Sequence, residues 1–176
     1  MTTPSLILYR VLTKVGKPLI AHHIRRRLAA GREDPRRVQE RFGLTRTTRP
    51  IGDLIWMHGA SIGEALSVYP LIDWLCENHT NANILLTTGT VSSANVSGSR
   101  LPGQAFHQFA PIDRQAEVGR FLDHWQPNLA LWVESELWPN MVTGTWQRDI
   151  PMILLNARMS SQSYRRWRIA PGLART

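Results

Sequence analysis

From residue 51 onward, the chain alternates between short apolar runs and segments whose apolar residues recur at helical spacing. The apolar runs predict strands over 53–57, 83–87, 105–110, 129–133 and 151–155. The intervening segments predict helices over 64–77, 91–101, 114–125 and 137–147. Short apolar strands alternating with helices favour βα units and a parallel sheet covered on both faces. The pattern predicts an α/β fold with a Rossmann-like parallel sheet.

The turns that follow these strands carry most of the candidate functional side chains. In an open parallel sheet these turns lie at one edge, which is where ligands bind. The candidates are His58, Ser61, Gly63 and Glu64 after the first strand, Thr88 after the second, Glu134 and Glu136 after the fourth, and Arg158 after the fifth.

Ser61 and Glu64 have two interpretations. Their spacing is that of a capping box, in which serine caps a helix and glutamate reaches back to the backbone. A carboxylate in the first turn of a helix is also favoured in its ionised form, so Glu64 could act as a general base. Gly63 would let a ligand approach the backbone closely.

Glu134 and Glu136 would point to the same side if the chain stays extended after the fourth strand. They could serve a ligand, or one could cap the next helix while the other pairs with a basic residue. Residues 87–90 could hold phosphate or sugar hydroxyls through backbone amides, but they lack the lysine of a P-loop. No dinucleotide glycine motif is present and the histidines have no metal-like spacing, so we predict no metal.

Charge is distributed unevenly along the sequence. The net charge is +9 over residues 1–50, −6 over 51–157 and +5 over 158–176. An acidic centre between basic ends is unlike a nucleic-acid binder, whose basic charge would cover the domain. This arrangement suggests an anionic surface such as lipid headgroups as a partner, and no nucleic acid.

Residues 5–28 predict a basic amphipathic helix kinked near Pro18. Leu8, Leu12, Val15 and Leu19 recur at helical spacing, and no apolar run is long enough to span a bilayer. The helix could lie on a membrane face or pack on its own domain as a solvated helix. Residues 29–50 predict a connector or an exposed basic loop.

Four stretches, taken in order, resemble the 3-deoxy-D-manno-octulosonic acid (Kdo) transferases of lipopolysaccharide biosynthesis. They are His-Gly-Ala-Ser-Ile-Gly-Glu at 58–64, Thr-Thr-Gly-Thr at 87–90, Glu-Ser-Glu-Leu-Trp-Pro-Asn at 134–140 and Asn-Ala-Arg-Met-Ser at 156–160. The resemblance extends over most of the chain.

This resemblance implies a GT-B glycosyltransferase, in which two Rossmann-like domains face each other across a cleft. It implies transfer of Kdo from CMP-Kdo to the phosphorylated lipid A precursor (lipid IVA) with inversion and without a metal. The reaction would take place on the cytoplasmic face of the bacterial inner membrane. Glu64 matches the general base, and Glu134 and Glu136 match an acidic pair at the cleft.

Family members with this resemblance are more than twice as long as this chain. We therefore expect residues 1–50 to form the N-terminal segment and 51–176 an incomplete acceptor-binding domain, with the C-terminal donor domain absent and little activity for this chain alone. Two alternatives are a non-catalytic module that binds anionic lipid surfaces through the basic ends, and an unrelated sugar-nucleotide enzyme of the same fold class.

Overall fold

The computed structural model describes residues 3–134 and 138–157 of the 176-residue chain. Its strands are β1 (Asp53–His58), β2 (Ala82–Thr88), β3 (Ala105–Phe109), β4 (Leu129–Val133) and β5 (Met152–Leu155). Its helices are α1 (Pro4–Val15), α2 (Lys17–Ala29), α3 (Ile62–Asn78), α4 (Val91–Arg100), α5 (Gln115–Trp125) and α6 (Pro139–Trp146), with a 3-10 helix at Val38–Phe42. The predicted βα alternation is confirmed.

The five strands form one parallel sheet in the order β3-β2-β1-β4-β5. His58, the last residue of β1, lies beside Thr87 of β2 and Trp132 of β4. β2 and then β3 are added on one side of β1, and β4 and β5 are added on the other side. The strand order therefore reverses between β1 and β4. A reversal of this kind opens a crevice at the carboxyl ends of the strands.

Each face of the sheet is buried under two helices, as the sequence predicts. One apolar cluster joins β-strand residues to α5 and α6, and includes Trp56, Phe121, Trp125, Trp132 and Met141. The other lies under α3 on the opposite face, and includes Met57, Val68, Tyr69, Ile72 and Leu131. Alternate side chains of a strand thus pack into opposite cores, and this packing fixes the register of the strands.

The N-terminal segment forms two helices rather than one kinked helix. α1 ends at Val15, and its C-cap is Gly16, whose amide donates to the Leu12 carbonyl; α2 begins at Lys17. The break therefore lies just before Pro18 and not at it. Pro18 fits the first turn of α2, because a proline there loses no helical hydrogen bond. None of the described helices is both long enough and apolar enough to cross a membrane.

Residues 29–50, predicted to form a connector or an exposed basic loop, are partly built into the domain. Glu33 and Arg41 are buried, and the Arg41 guanidinium donates to the Glu33 carboxylate over 2.9 Å. The Arg41 carbonyl accepts from the Ile112 amide, which ties this segment to the chain that follows β3. The exposed loop is therefore wrong at Glu33 and Arg41, which find partners inside the domain, while other arginines of the segment are exposed.

Candidate functional site

The crevice at the topological reversal is bordered by the turn after β1 and the turn after β4. The first runs from Gly59 to Ser61 and leads into α3, and the second begins at Glu134. Because β1 and β4 are neighbours in the sheet, these turns bring Glu64 and Glu134 to the same rim.

Glu64 is held by its own turn through three hydrogen bonds. Its Oε2 accepts from the Ala60 amide at 2.7 Å, and its Oε1 accepts from the Ser61 hydroxyl at 2.8 Å. The Ser61 Oγ in turn accepts from the Glu64 amide, so Ser61 is the N-cap of α3. The serine half of the predicted capping box is thus formed, while the Glu64 carboxylate reaches one residue further back, to the Ala60 amide. These bonds fix the carboxylate at a partly open position without using all of its lone pairs.

The turn after β1 is also tied to the turn after β2. The Gly59 amide donates to the Thr87 carbonyl, and the Gly89 amide donates to the Ala60 carbonyl. A side chain at position 89 would meet the Ala60 carbonyl oxygen at 2.9 Å, so only glycine fits this approach. At Gly63, by contrast, the space is open, with the nearest atom the Ser61 Oγ at 4.0 Å.

Two of the predicted substrate-binding side chains are inside the protein. His58 is buried, and its Nδ1 lies 2.9 Å from the Thr87 hydroxyl. Burial lowers the pKa of His58 to about 4, so it is neutral near pH 7. Its Nε2 finds no partner within residues 3–134 and 138–157. This placement gives His58 a packing role beneath the turn and no direct access to the rim.

Thr88 is likewise fully buried. Its hydroxyl lies 2.8 Å from His107 Nε2 and accepts from the Ser93 hydroxyl at 2.6 Å. Arg37 can only donate to His107 Nδ1, at 3.0 Å, so the ring proton must be on Nε2. Burial, with Arg37 and Arg41 nearby, lowers the pKa of His107 to about 3. The Thr88 side chain belongs to this internal network and does not reach the rim.

Glu134 differs from Glu64 in how it is held. It follows β4 in the left-handed region, at φ 60°, and its amide donates to the Leu155 carbonyl. No described residue donates a hydrogen bond to its half-buried carboxylate. Glu136 and Arg158, the other two predicted site residues, lie outside the described residues.

Sequence reasoning missed Arg41, which joins the N-terminal segment to the rim. Its Nη2 donates to the Gly89 carbonyl at 2.7 Å and its Nη1 to the Ala110 carbonyl at 3.3 Å. Burial lowers the pKa of Arg41, and Glu33 opposes that shift. The only signal in the sequence was an arginine eight residues after a glutamate in a polar stretch, which does not distinguish a buried pair from a solvated one.

Asp113 is a second residue that the sequence did not single out. Its Oδ1 accepts from the Met141 amide at 2.7 Å, and its Oδ2 accepts from the Asn140 amide and the Tyr9 hydroxyl. It therefore caps α6 from outside the helix and connects α1 to the segment after β4. Burial raises its pKa, while these hydrogen bonds oppose the rise.

A cavity of about 290 Å³ lies beside these residues. Its walls come from α2, from the Glu33–Arg41 pair, from the turn after β3 and from Trp138 at the start of α6. Within the described residues no group of three His, Cys, Asp or Glu side chains could hold a metal ion.

Comparisons with known proteins agree with the fold and the motifs. The family model described as 3-deoxy-D-manno-octulosonic-acid transferase (kdotransferase) matches residues 36–176. A protein of Arabidopsis thaliana named as a probable mitochondrial 3-deoxy-D-manno-octulosonic acid transferase is 46% identical over 160 residues, which are 91% of this chain and 36% of that protein.

Bacterial relatives match over the same part of the chain. The 3-deoxy-D-manno-octulosonic acid transferase of Rickettsia bellii is 36% identical over 94% of this chain and 39% of its own length. That of Haemophilus influenzae is 30% identical over 90% of this chain and 38% of its own length. The chain thus spans less than half the length of the curated relatives it matches.

Proposed function

The chain belongs to the Kdo transferase family, and from this membership we propose that it is the acceptor-binding half of an inverting Kdo transferase. The donor is CMP-Kdo, the acceptor is the phosphorylated lipid A precursor lipid IVA, and no metal takes part. The observation that carries the proposal is the position of Glu64, which its own turn fixes at the rim of the crevice.

Glu64 is proposed as the general base. An acceptor hydroxyl attacks the anomeric carbon of Kdo, the new glycosidic bond forms as the bond from that carbon to the CMP phosphate oxygen breaks, and the hydroxyl proton passes to the Glu64 carboxylate. A single displacement of this kind inverts the anomeric centre. The capping hydrogen bonds support this role because they hold the carboxylate in one place before the acceptor arrives.

The remaining site residues are proposed to bind substrate or to support the rim. Gly63 leaves room for the acceptor beside the base, and Glu134 offers a carboxylate on the opposite turn. Ser61 orients Glu64. His58 and Thr88 act from below through packing and hydrogen bonds. For Glu136 and Arg158, substrate binding stays a proposal from the family motif.

The proposal includes docking of α1 on the inner-membrane surface, at the cytoplasmic face. α1 packs on the domain through Leu6, Tyr9 and Arg10, while Leu12 and Val15 are 62% and 73% exposed. Thus the apolar row is not the face that covers the core. An exposed apolar row with basic residues nearby is typical of a helix lying in a lipid interface.

The same observation supports a second candidate function, that of a non-catalytic module binding anionic lipid surfaces. Lys14, Lys17, Arg25 and Arg26 are exposed, and none forms an ion pair within the residues that the structure describes. This function would need the exposed row and the cations but not Glu64. Neither candidate calls for a nucleic-acid partner.

A chimera tests the first candidate. Residues 1–176 replace the matching part of the Arabidopsis thaliana relative, and transfer of labelled Kdo from CMP-Kdo to the lipid A precursor is measured. We expect transfer by the chimera. The proposal would be contradicted by a chimera that transfers nothing although it binds CMP-Kdo and its circular dichroism spectrum shows that it is folded. That result would favour the second candidate, a non-catalytic lipid-binding module.

Vesicle co-sedimentation tests the membrane surface. Leu12→Ser with Val15→Ser should lower binding to phosphatidylglycerol-containing vesicles by about tenfold or more, because each buried apolar side chain contributes on the order of 1.5 kcal/mol or more. The matched control is Leu44→Ser with Ile51→Ser, which removes two exposed apolar residues away from α1. Equal binding by both pairs would contradict docking through α1.

A further inference from the structure

The described residues contain a continuous hydrogen-bond path from the N-terminal segment to Glu64. Arg41 Nη2 donates to the Gly89 carbonyl at 2.7 Å. The Gly89 amide donates to the Ala60 carbonyl at 3.1 Å, and the Ala60 amide donates to Glu64 Oε2 at 2.7 Å. The first link joins the 3-10 helix to the turn after β2, the second joins that turn to the turn after β1, and the third lies within the turn after β1.

The first link of this path is the strongest because its donor is a buried cation. Hydrogen bonds from charged donors are about twice as strong as neutral ones, and in a buried site water competes little for them. Glu33 fixes the guanidinium by accepting from Arg41 Nε at 2.9 Å, and the Phe109 ring lies 4.5 Å below it. The Gly89 carbonyl is thus held by a donor that cannot move freely.

Gly89 transmits this restraint because its backbone lies against Ala60. A Cβ at position 89 would approach the Ala60 carbonyl oxygen to 2.9 Å. The backbone contact therefore leaves little room for the two turns to slide past each other. Displacing Gly89 would move Ala60, and with it the amide that holds one oxygen of Glu64.

We propose that Arg41 is a positioning residue for Glu64, acting through Gly89 and Ala60. Arg41 itself touches no substrate in this proposal. The catalytic meaning of the positioning rests on the proposed function of Glu64 as the base, but the physical claim concerns the path alone. It can be measured on this chain without any transfer reaction.

The test is amide hydrogen exchange of the chain by NMR, in wild type and in Arg41→Met. Methionine keeps the length of the side chain and its contact with Phe109 but loses the donors. Glu33 retains Arg27, which donates to it at 2.6 Å, and the Arg41 carbonyl keeps its bond from Ile112. We expect the Gly89 and Ala60 amides to exchange about tenfold faster or more, because loss of a charge-assisted hydrogen bond raises local opening by this factor.

Arg37→Met is the matched control. Arg37 directly precedes the same 3-10 helix, lies over the same Phe109 ring at 4.8 Å and pairs with Glu40. It donates to His107, however, and not to Gly89. We expect Arg37→Met to leave the Gly89 and Ala60 exchange rates within about twofold of wild type.

Arg41→Lys keeps the test informative if the methionine variant does not fold. An ammonium group retains the cation and can still donate to one carbonyl, so exchange of the two amides should lie between wild type and Arg41→Met. Rates in Arg41→Lys or Arg41→Met that match wild type, or a rise equally large in Arg37→Met, would overturn the proposal. Absence of transfer by the chimera would count against the proposed function alone, since exchange does not depend on it.

Discussion

The two carboxylates on the turns after β1 and β4 are held in opposite ways. Glu64 receives hydrogen bonds from Ala60 and Ser61, both within four residues of it in sequence. Glu134 receives none from the described residues and sits in the left-handed backbone region. Within the part of the chain that the structure describes, hydrogen bonds therefore restrain the carboxylate of Glu64 and not that of Glu134.

This difference suggests a division of labour. A base has to be in place when the proton moves, and local hydrogen bonds at a helix N-terminus achieve this at little entropic cost. A carboxylate that binds substrate can take its partners from the substrate itself. The left-handed backbone at Glu134 is compatible with this role, because non-glycine residues in this region occur at functional sites as well as in turns.

The largest expected effect is on the rate of Kdo transfer when the proposed acceptor half works without a donor half. A polypeptide of residues 1–176 alone should transfer Kdo at least roughly 10³-fold more slowly than the chimera, because fixing donor and acceptor together supplies much of the rate. The measurement is single-turnover transfer at equal acceptor concentration. Comparable rates would mean that the rim by itself assembles the reaction.

Acid should lower the stability of the fold, because two buried histidines are neutral in it. His58 and His107 have folded pKa values of about 4 and about 3, below the ordinary 6.5. The unfolded chain therefore binds protons more readily than the folded one. The stability that comes from keeping these histidines neutral is fully present above pH 6.5 and is lost as pH falls toward 4. We expect a loss of roughly 3 kcal/mol for each histidine.

Urea unfolding at pH 7 and pH 4.5 checks this expectation. His107→Gln should flatten the dependence on pH, whereas His22→Gln, at an exposed position of α2, should leave it unchanged. A dependence equally steep in wild type and His107→Gln would contradict the role of that histidine.

Loss of the cap should weaken the fixed turn. Ser61→Ala removes both the bond to the Glu64 amide and the bond to its carboxylate, and should lower the free energy of unfolding by about 1 kcal/mol. Ser67→Ala, an exposed serine of the same helix, should change it by less than about 0.5 kcal/mol. Equal losses would show that the cap does not stabilise this turn.

The smallest effect is expected on the other side of the rim. Glu134→Gly removes the left-handed strain and should raise the free energy of unfolding by up to about 1 kcal/mol. Gln126→Gly relieves the same kind of strain at the end of α5, away from the rim, and serves as the control. A loss of stability in Glu134→Gly alone would show that its carboxylate holds the fold together.

Much of the fold could be predicted because it depends on patterns among residues that are close together in the sequence. Apolar strand runs and helical spacing gave the five strands and the helices between them, and the Ser61-to-Glu64 spacing gave the serine half of the capping box. The apolar row of Leu12 and Val15 was also visible. Whether that row covers the core could not be read from its period, since either face of such a helix can pack inward.

The rest depended on contacts between distant residues. Arg41 meets Gly89 and Ala110 only after the sheet has formed, and nothing in the sequence near Arg41 distinguishes it from the solvated arginines around it. Thr88 and His58 were predicted to contact substrate because they end strands. Their side chains are buried instead, because helices cover both faces of the sheet and enclose a strand-end side chain on whichever face it lies.

The division of labour is tested most directly by steady-state kinetics of the chimera with Glu64→Gln and Glu134→Gln side by side. The account predicts that Glu64→Gln lowers kcat by about 10²-fold or more, because a general base is lost, while Glu134→Gln mainly raises KM. Glu77→Gln, an exposed glutamate near the end of α3, should match wild type in both constants. A kcat for Glu64→Gln within about threefold of wild type would contradict the account.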